Sequence, residues 1–343
     1  MKIPSKKSGR GFTLIELLVA MAITTVIITI LVSITSLSLD TWNRSRSEIR
    51  AARQGKAMID SMARDFESMV VRKGNNFEWL YAAFSPTLKG PKREGGSETE
   101  NKSPNAADLV FFSAATDRYN GNIGDIGPTG KDKGGDVSTV VYQLKYKDPI
   151  DAGNTVDKFN TFVLYRKLIN PNTTFGSLAP PVPGTLGIDF VPVSTTLLDR
   201  AKSAAADPSM SGPAVDNEGN FICENIYQFT MTFHVEVTQV SVPAGSNLVT
   251  VPVQLGDGGD STELFKIVGS GLHMDAGITG GAGITNDMLK AGRLTSVEVS
   301  LTVLTDFGLA QMRKRDLSNT AAKTAFIAEN SYQFSKIIPV PGS

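Results

Sequence analysis

The sequence predicts an α+β fold: one long N-terminal helix, its first half apolar enough to lie in a membrane, packed through its second half on an antiparallel β-sheet that carries long loop insertions. Three observations lead there. The run from Phe12 to Leu39 holds a single charge, Glu16. No proline interrupts the chain from Phe12 through Val71, so nothing removes a helical hydrogen bond along that stretch. Further on, segments of apolar and polar alternation are separated by stretches rich in Gly, Pro, Asp and Asn.

The organisation expected is a basic leader over 1–11, a membrane-spanning segment over 12–39, a continuation of the same helix over 40–71, and a β-rich globular body over 72–343. In the leader, Lys2, Lys6, Lys7 and Arg10 precede Gly11, and Phe12-Thr13-Leu14-Ile15-Glu16 follows at once. An ordinary secretory signal is cut after its apolar core. Here the small residue suited to cleavage, Gly11, stands before that core, so a cut between Gly11 and Phe12 discards the leader and keeps the apolar run as the mature N-terminus. As a helix the run would be about 42 Å long, and roughly 20 residues suffice to cross a bilayer. A carboxylate at Glu16 is costly in hydrocarbon and calls for a partner.

Past the span, Trp42, Ile49, Ala52, Ile59, Met62, Phe66 and Met69 recur at spacings of three, four or seven, the period of one helical face. Arg50, Arg53, Lys56, Asp60 and Arg64 fill much of the remainder. The cluster Arg44, Arg46, Arg50 and Arg53 reads as a solvated face, and with four basic residues on either side of the span the positive-inside rule does not decide orientation. Gly55 is a mild weak point.

Phe229, Met231, Phe233, Val235 and Val237 alternate with Thr230, Thr232, His234, Glu236 and Thr238, the mark of a strand with one buried face. Val297 to Val303 repeats the pattern, and Leu109 to Phe112, Val140 to Tyr146 and Thr161 to Lys167 read as further strands. Residues 85–107, 117–136, 170–220, 256–259 and 269–283 read as loops, with a helix over Thr195 to Ala206.

Lys and Arg number 34 and Asp and Glu 34, which removes any polyelectrolyte attraction, and no nucleic-acid partner is expected. The single Cys223 excludes an intrachain disulfide. No enzyme is predicted. His234 falls on the polar side of a strand, His273 in a Gly-rich loop, and Cys223 reads as a buried small residue; there is no Walker loop, H-E-x-x-H or G-x-S-x-G. Asp257 and Asp260 with Glu263, and separately Asp117, Asn120, Asn122 and Asp125, supply oxygen ligands of the kind Ca²⁺ takes. The same residues are those turns use for their own geometry, and neither set has EF-hand spacing, so no metal and no cofactor are assigned.

The sequence Gly11-Phe12-Thr13-Leu14-Ile15-Glu16 behind a basic leader resembles the type IV prepilin signal. That resemblance implies a pilin-like fold, cleavage after Gly11 and N-methylation of Phe12 by prepilin peptidase, and pairing of Glu16 with the Phe12 amine of a neighbouring subunit. It also implies a single-pass inner-membrane protein with its C-terminal domain in the periplasm, assembled into a periplasmic filament with other pilin-like subunits and an inner-membrane assembly platform. The order of helix and strands, with Asp108 to Ser113, Val140 to Leu144, Phe162 to Arg166, Asn225 to Val237 and Leu294 to Val303, is similar to J-type minor pseudopilins of type II secretion. Ala325 to Asn330 and Phe334 to Pro339 are similar to verrucomicrobial prepilin-like cassette proteins. The function expected is that of a minor pilin-like subunit in assembly, tip formation or cargo contact. The alternative is a membrane-anchored periplasmic binding or catalytic domain that uses a prepilin-type signal.

Overall fold

The computed structural model of the chain describes residues 13–71, 78–84, 88–93, 95–96, 101–114, 137–151, 159–169, 215, 218–241, 245–256, 263–268, 271–274 and 284–341. Gly11, Phe12, the helix expected over Thr195 to Ala206, and the clusters Asp117 to Asp125 and Asp257 to Asp260 lie outside them. Two compact units are present, Met1–Ile49 and Arg50–Ser343.

Helix α1 (Leu14–Glu67) begins in the first unit and ends in the second. Within the first unit every residue from Thr13 to Arg46 is exposed, including the apolar series from Leu14 to Leu39. The hydroxyls in that series close on the helix itself. Thr24, Thr25, Thr29, Ser33, Thr35, Ser38 and Thr41 each donate to the carbonyl four residues back, at 2.7 to 2.9 Å. Hydroxyls satisfied in this way can enter hydrocarbon without carrying an unpaired donor.

Among the described residues the second unit holds eleven strands: β1 (Glu78–Phe84), β2 (Ala107–Ser113), β3 (Ser138–Lys147), β4 (Thr161–Ile169), β5 (Phe221–Glu224), β6 (Ile226–Ser241), β7 (Gly245–Gln254), β8 (Leu264–Val268), β9 (Gly271–Met274), β10 (Arg293–Leu304) and β11 (Ser331–Pro339). Helices α2 (Asn286–Lys290), α3 (Asp306–Met312) and α4 (Thr320–Asn330) are capped by the side chains of Thr285, Thr305 and Asn319. A single sheet was expected, but the strands form two, both antiparallel: a seven-stranded sheet in the order β5-β4-β3-β2-β1-β8-β9 and a four-stranded sheet in the order β11-β10-β6-β7. The α+β class holds.

Within the second unit α1 meets β11 of the smaller sheet through Gly55 and Asp60, and packs on the larger sheet through Phe66, stacked on Phe111 of β2 at 4.6 Å between ring centroids. The register Leu80↔Phe111↔Val140 and Leu109↔Tyr142↔Arg166 shows which strand positions share that face. The sheets meet through Phe233 of β6 and Phe265 of β8, stacked at 4.0 Å.

Strands β5, β7, β8 and β11 add to those the sequence reading expects, and further details differ from it. The buried face of α1 is Ala51, Gly55, Met58, Ile59, Met62, Ala63 and Phe66, whereas Trp42 and Ile49 are 68% and 50% exposed. Small residues bring the backbone close to the sheet, and a hydrophobicity pattern gives them little weight. The helix ends at Glu67 and not at Val71, because the chain turns there to pair with β2: Val70 N–H donates to the Phe112 carbonyl at 2.8 Å, and Met69 bridges Ser113. Strand β1 went unread because it is buried at every residue, so its two faces show no contrast. Residues 271–274, read as loop, form β9 against β8.

Candidate functional site

The first turn of α1 is built from Thr13 and Glu16. The Thr13 backbone N–H and hydroxyl both donate to Glu16 Oε2 at 2.9 Å, and the Glu16 N–H donates back to Thr13 Oγ1 at 3.3 Å. This reciprocal pair satisfies donors that the helix start leaves orphaned. The signal for it, Thr-x-x-Glu, is local in the sequence, and a reading of Glu16 as a costly carboxylate in hydrocarbon does not use it. The capping box also directs that carboxylate toward Thr13, the residue after Phe12. A carboxylate has about four acceptor sites, so the Thr13 donors leave capacity for an ammonium group.

Ala22, Thr25, Thr29, Ser33 and Ser36 lie within a narrow arc of the helix by their spacing of three and four, the pattern that lets apolar helices approach closely. Among the described residues, α1 is the one helix long and apolar enough to cross a membrane.

The residues weighed for chemistry are dispersed. His234 Nε2 lies 3.7 Å from Glu298 Oε2 on the outer face of the smaller sheet, beyond hydrogen-bond range. His273 is in β9 opposite Lys266. Cys223 is buried in β5, and burial, with the Glu224 carboxylate next in effect, pushes its thiol up to about 12. Glu263, considered for calcium, is buried and accepts the Gly256 N–H at 2.6 Å. Among the described residues no three His, Cys, Asp or Glu side chains converge as a metal site.

Two charged nodes were missed. Asp65 is fully buried on the sheet-facing side of α1, where Arg166 of β4 donates to it through Nε at 2.7 Å and Nη2 at 3.0 Å, and the Tyr142 hydroxyl donates to the same carboxylate. Arg50, read as part of a solvated face, is ion-paired with Glu224 of β5 and lies 3.5 Å from Asp306 of α3. Neither pairing has a local signature, since the partners are far apart in the chain.

The chain matches a family model, the prokaryotic N-terminal methylation motif, over residues 6–32. The chain carries a prepilin-type N-terminal methylation motif. The matched segment contains Gly11, Phe12 and Glu16, and its end lies within the apolar part of α1. A motif of this kind implies processing by prepilin peptidase and, in general terms, assembly with other pilin subunits. Together with the one apolar N-terminal helix it is compatible with a single-pass membrane anchor. The long helix with antiparallel sheets is consistent with a pilin-like fold. No curated protein and no solved structure matches the chain.

Proposed function

We propose that this prepilin-like chain is a minor pilin-like subunit, a pseudopilin, of a type II secretion or type IV pilus-like filament, acting in assembly, tip formation or cargo contact and performing no bond chemistry. The observation that carries the reading is the methylation motif placed at the head of an exposed apolar helix that runs on into a β-rich body. On this reading prepilin peptidase cuts between Gly11 and Phe12 and methylates the new amine. The chain sits in the bacterial inner membrane with its body in the periplasm, and an inner-membrane platform passes it into a periplasmic filament.

Assembly then follows from the residues of the first turns. Glu16, aimed at the helix start by its capping contacts, receives the Phe12 amine of a neighbouring subunit; in an apolar surround that charge pair is strongly preferred to either partner alone. The small-residue arc from Ala22 to Ser36 supports close packing with sister helices. The buried, weakly acidic Cys223 and the separated histidines support a role in binding over one in catalysis. Intact-mass analysis of the protein recovered from membranes tests the processing step: the expected product lacks residues 1–11 and carries a methyl group on Phe12. An unprocessed start, or cleavage after the apolar run near Ser38, would overturn the reading.

A further inference from the structure

The body has a surface at the end where α1 enters it that filament assembly as described above does not use. Arg50, the first residue of the body, is held by Glu224 and Asp306. Asp306 Oδ1 accepts from Asn225 Nδ2 at 2.7 Å, and Asn225 Oδ1 accepts from the hydroxyl of Thr161, at the start of β4, at 2.6 Å. Beyond the other end of α3, Arg313 donates to the carbonyl of Asn160. Helix α3 therefore lies along this end of the body, between Arg50 and the start of β4.

Two aromatic rings stand out to solvent there, Phe159 at 57% exposure and Phe307 at 42%. Arg313 reaches the carbonyl of Asn160, the residue after Phe159. Arg313, Lys314 and Arg315 follow α3 directly; Arg315 lies over the Phe326 ring of α4 at 5.6 Å, and Lys323 of α4 lies 5.8 Å from the Tyr227 ring. The acid in this run, Asp316, is paired with Arg93 at 3.3 Å. Burial, and after it the charge of Lys102, lowers the pKa of Lys323 from its ordinary value. Exposed aromatic rings beside cations are the make-up of surfaces that lie in a lipid headgroup layer.

Chain reach limits how far this end can be from a bilayer. Leu39 closes the apolar run and Arg50 opens the body, and the segment between them spans about 16 Å as helix and at most about 40 Å fully extended. We propose that this end of the body docks on an anionic phospholipid surface, with Phe159 and Phe307 entering the headgroup layer and the exposed Lys314 and Arg315 pairing with lipid phosphates. The proposal rests on the reading of 12–39 as a membrane span.

The test uses the full chain reconstituted into vesicles of phosphatidylcholine alone or mixed with phosphatidylglycerol. Ala310 is exposed and shares a face of α3 with Phe307, three residues earlier. An Ala310→Cys variant carrying an NBD label reports contact through quenching by brominated lipid. Cys223 does not compete for the label, because it is buried in β5. An Asn247→Cys label is the control, since Asn247 pairs with Gln239 near the far end of β6 from Asn225. Quenching is expected at residue 310 and not at 247, stronger with phosphatidylglycerol, reversed by high salt, and weakened by Lys314→Glu, each cation being worth about a fivefold change in the contact equilibrium. Equal quenching at both positions, or quenching at 310 indifferent to anionic lipid and to salt, overturns the docking. Loss of carbonate-resistant flotation, whatever the label shows, overturns the span reading instead.

Discussion

Gly55 is in the middle of a helix, where alanine is ordinarily better by about 1 kcal/mol, yet Gly55→Ala is expected to destabilise this protein. A Cβ added there would stand 2.3 Å from Cε2 and 2.5 Å from Cδ2 of Phe334 in β11. Carbon atoms pack best at about 3.5–4.0 Å, so the ring must retreat by about 1 Å or more. Phe334 is half-buried and can move, but two residues along the same strand Lys336 is tied to Asp60 of α1 at 3.0 Å, which limits any shift of the strand itself. Overpacking of this kind costs about 1–3 kcal/mol. Set against the propensity gain, the net loss should be about 1 kcal/mol. In a Phe334→Ala background the clash is gone, and the same Gly55→Ala change should stabilise by about 1 kcal/mol, a coupling of about 2 kcal/mol between the two sites. Urea unfolding of the full chain in mild detergent, followed by near-ultraviolet circular dichroism, measures all four proteins of the cycle. If Gly55→Ala stabilises equally with and without Phe334, the ring does not hold the helix and the argument fails.

Asp65→Asn should cost about 3–5 kcal/mol in the same unfolding assay, because it leaves the Arg166 guanidinium mostly buried without its counter-ion, while replacing both by leucine and methionine should recover most of the loss; equal damage from the single and the double change would refute an electrostatic origin. Glu16→Gln should leave membrane fractionation unchanged but reduce crosslinking to neighbouring pilin-like subunits, since the amide keeps a hydrogen-bonding oxygen for Thr13 and loses the charge for the Phe12 amine; crosslinking at the wild-type level would make Glu16 a helix cap only. The Asp60 pKa is lowered, first by its hydrogen bond from Lys336 and then by the charge of that lysine. Stability from this contact is therefore present above the ordinary aspartate value of 3.8 and is lost only as pH falls through the depressed value, so Lys336→Gln should not alter the slope of stability against pH between pH 5 and 7.

What the amino-acid sequence determined alone was local. A charge-poor run with one glutamate, a glycine before it and no proline for the length of the helix requires only near neighbours to be legible, and the period-two strands β6 and β10 declared themselves because one face is buried and the other wet. The Thr13 and Glu16 capping box was equally local and could have been read. Tertiary structure decided the rest. Strand β1 has neighbours on both faces, so its side chains carry no alternation to read. The division into two sheets depends on pairings such as β1 with β8 and β10 with both β6 and β11, which no local pattern specifies. Which side of α1 is buried was settled by Ala51, Gly55 and Asp65, two small residues and an acid that a hydrophobic stripe omits; Gly55 is there because Phe334 comes too close for a side chain, and Asp65 because Arg166 and Tyr142 meet it across the sheet. Those partners are set by the fold, and a charge buried among them is stable only once they have arrived.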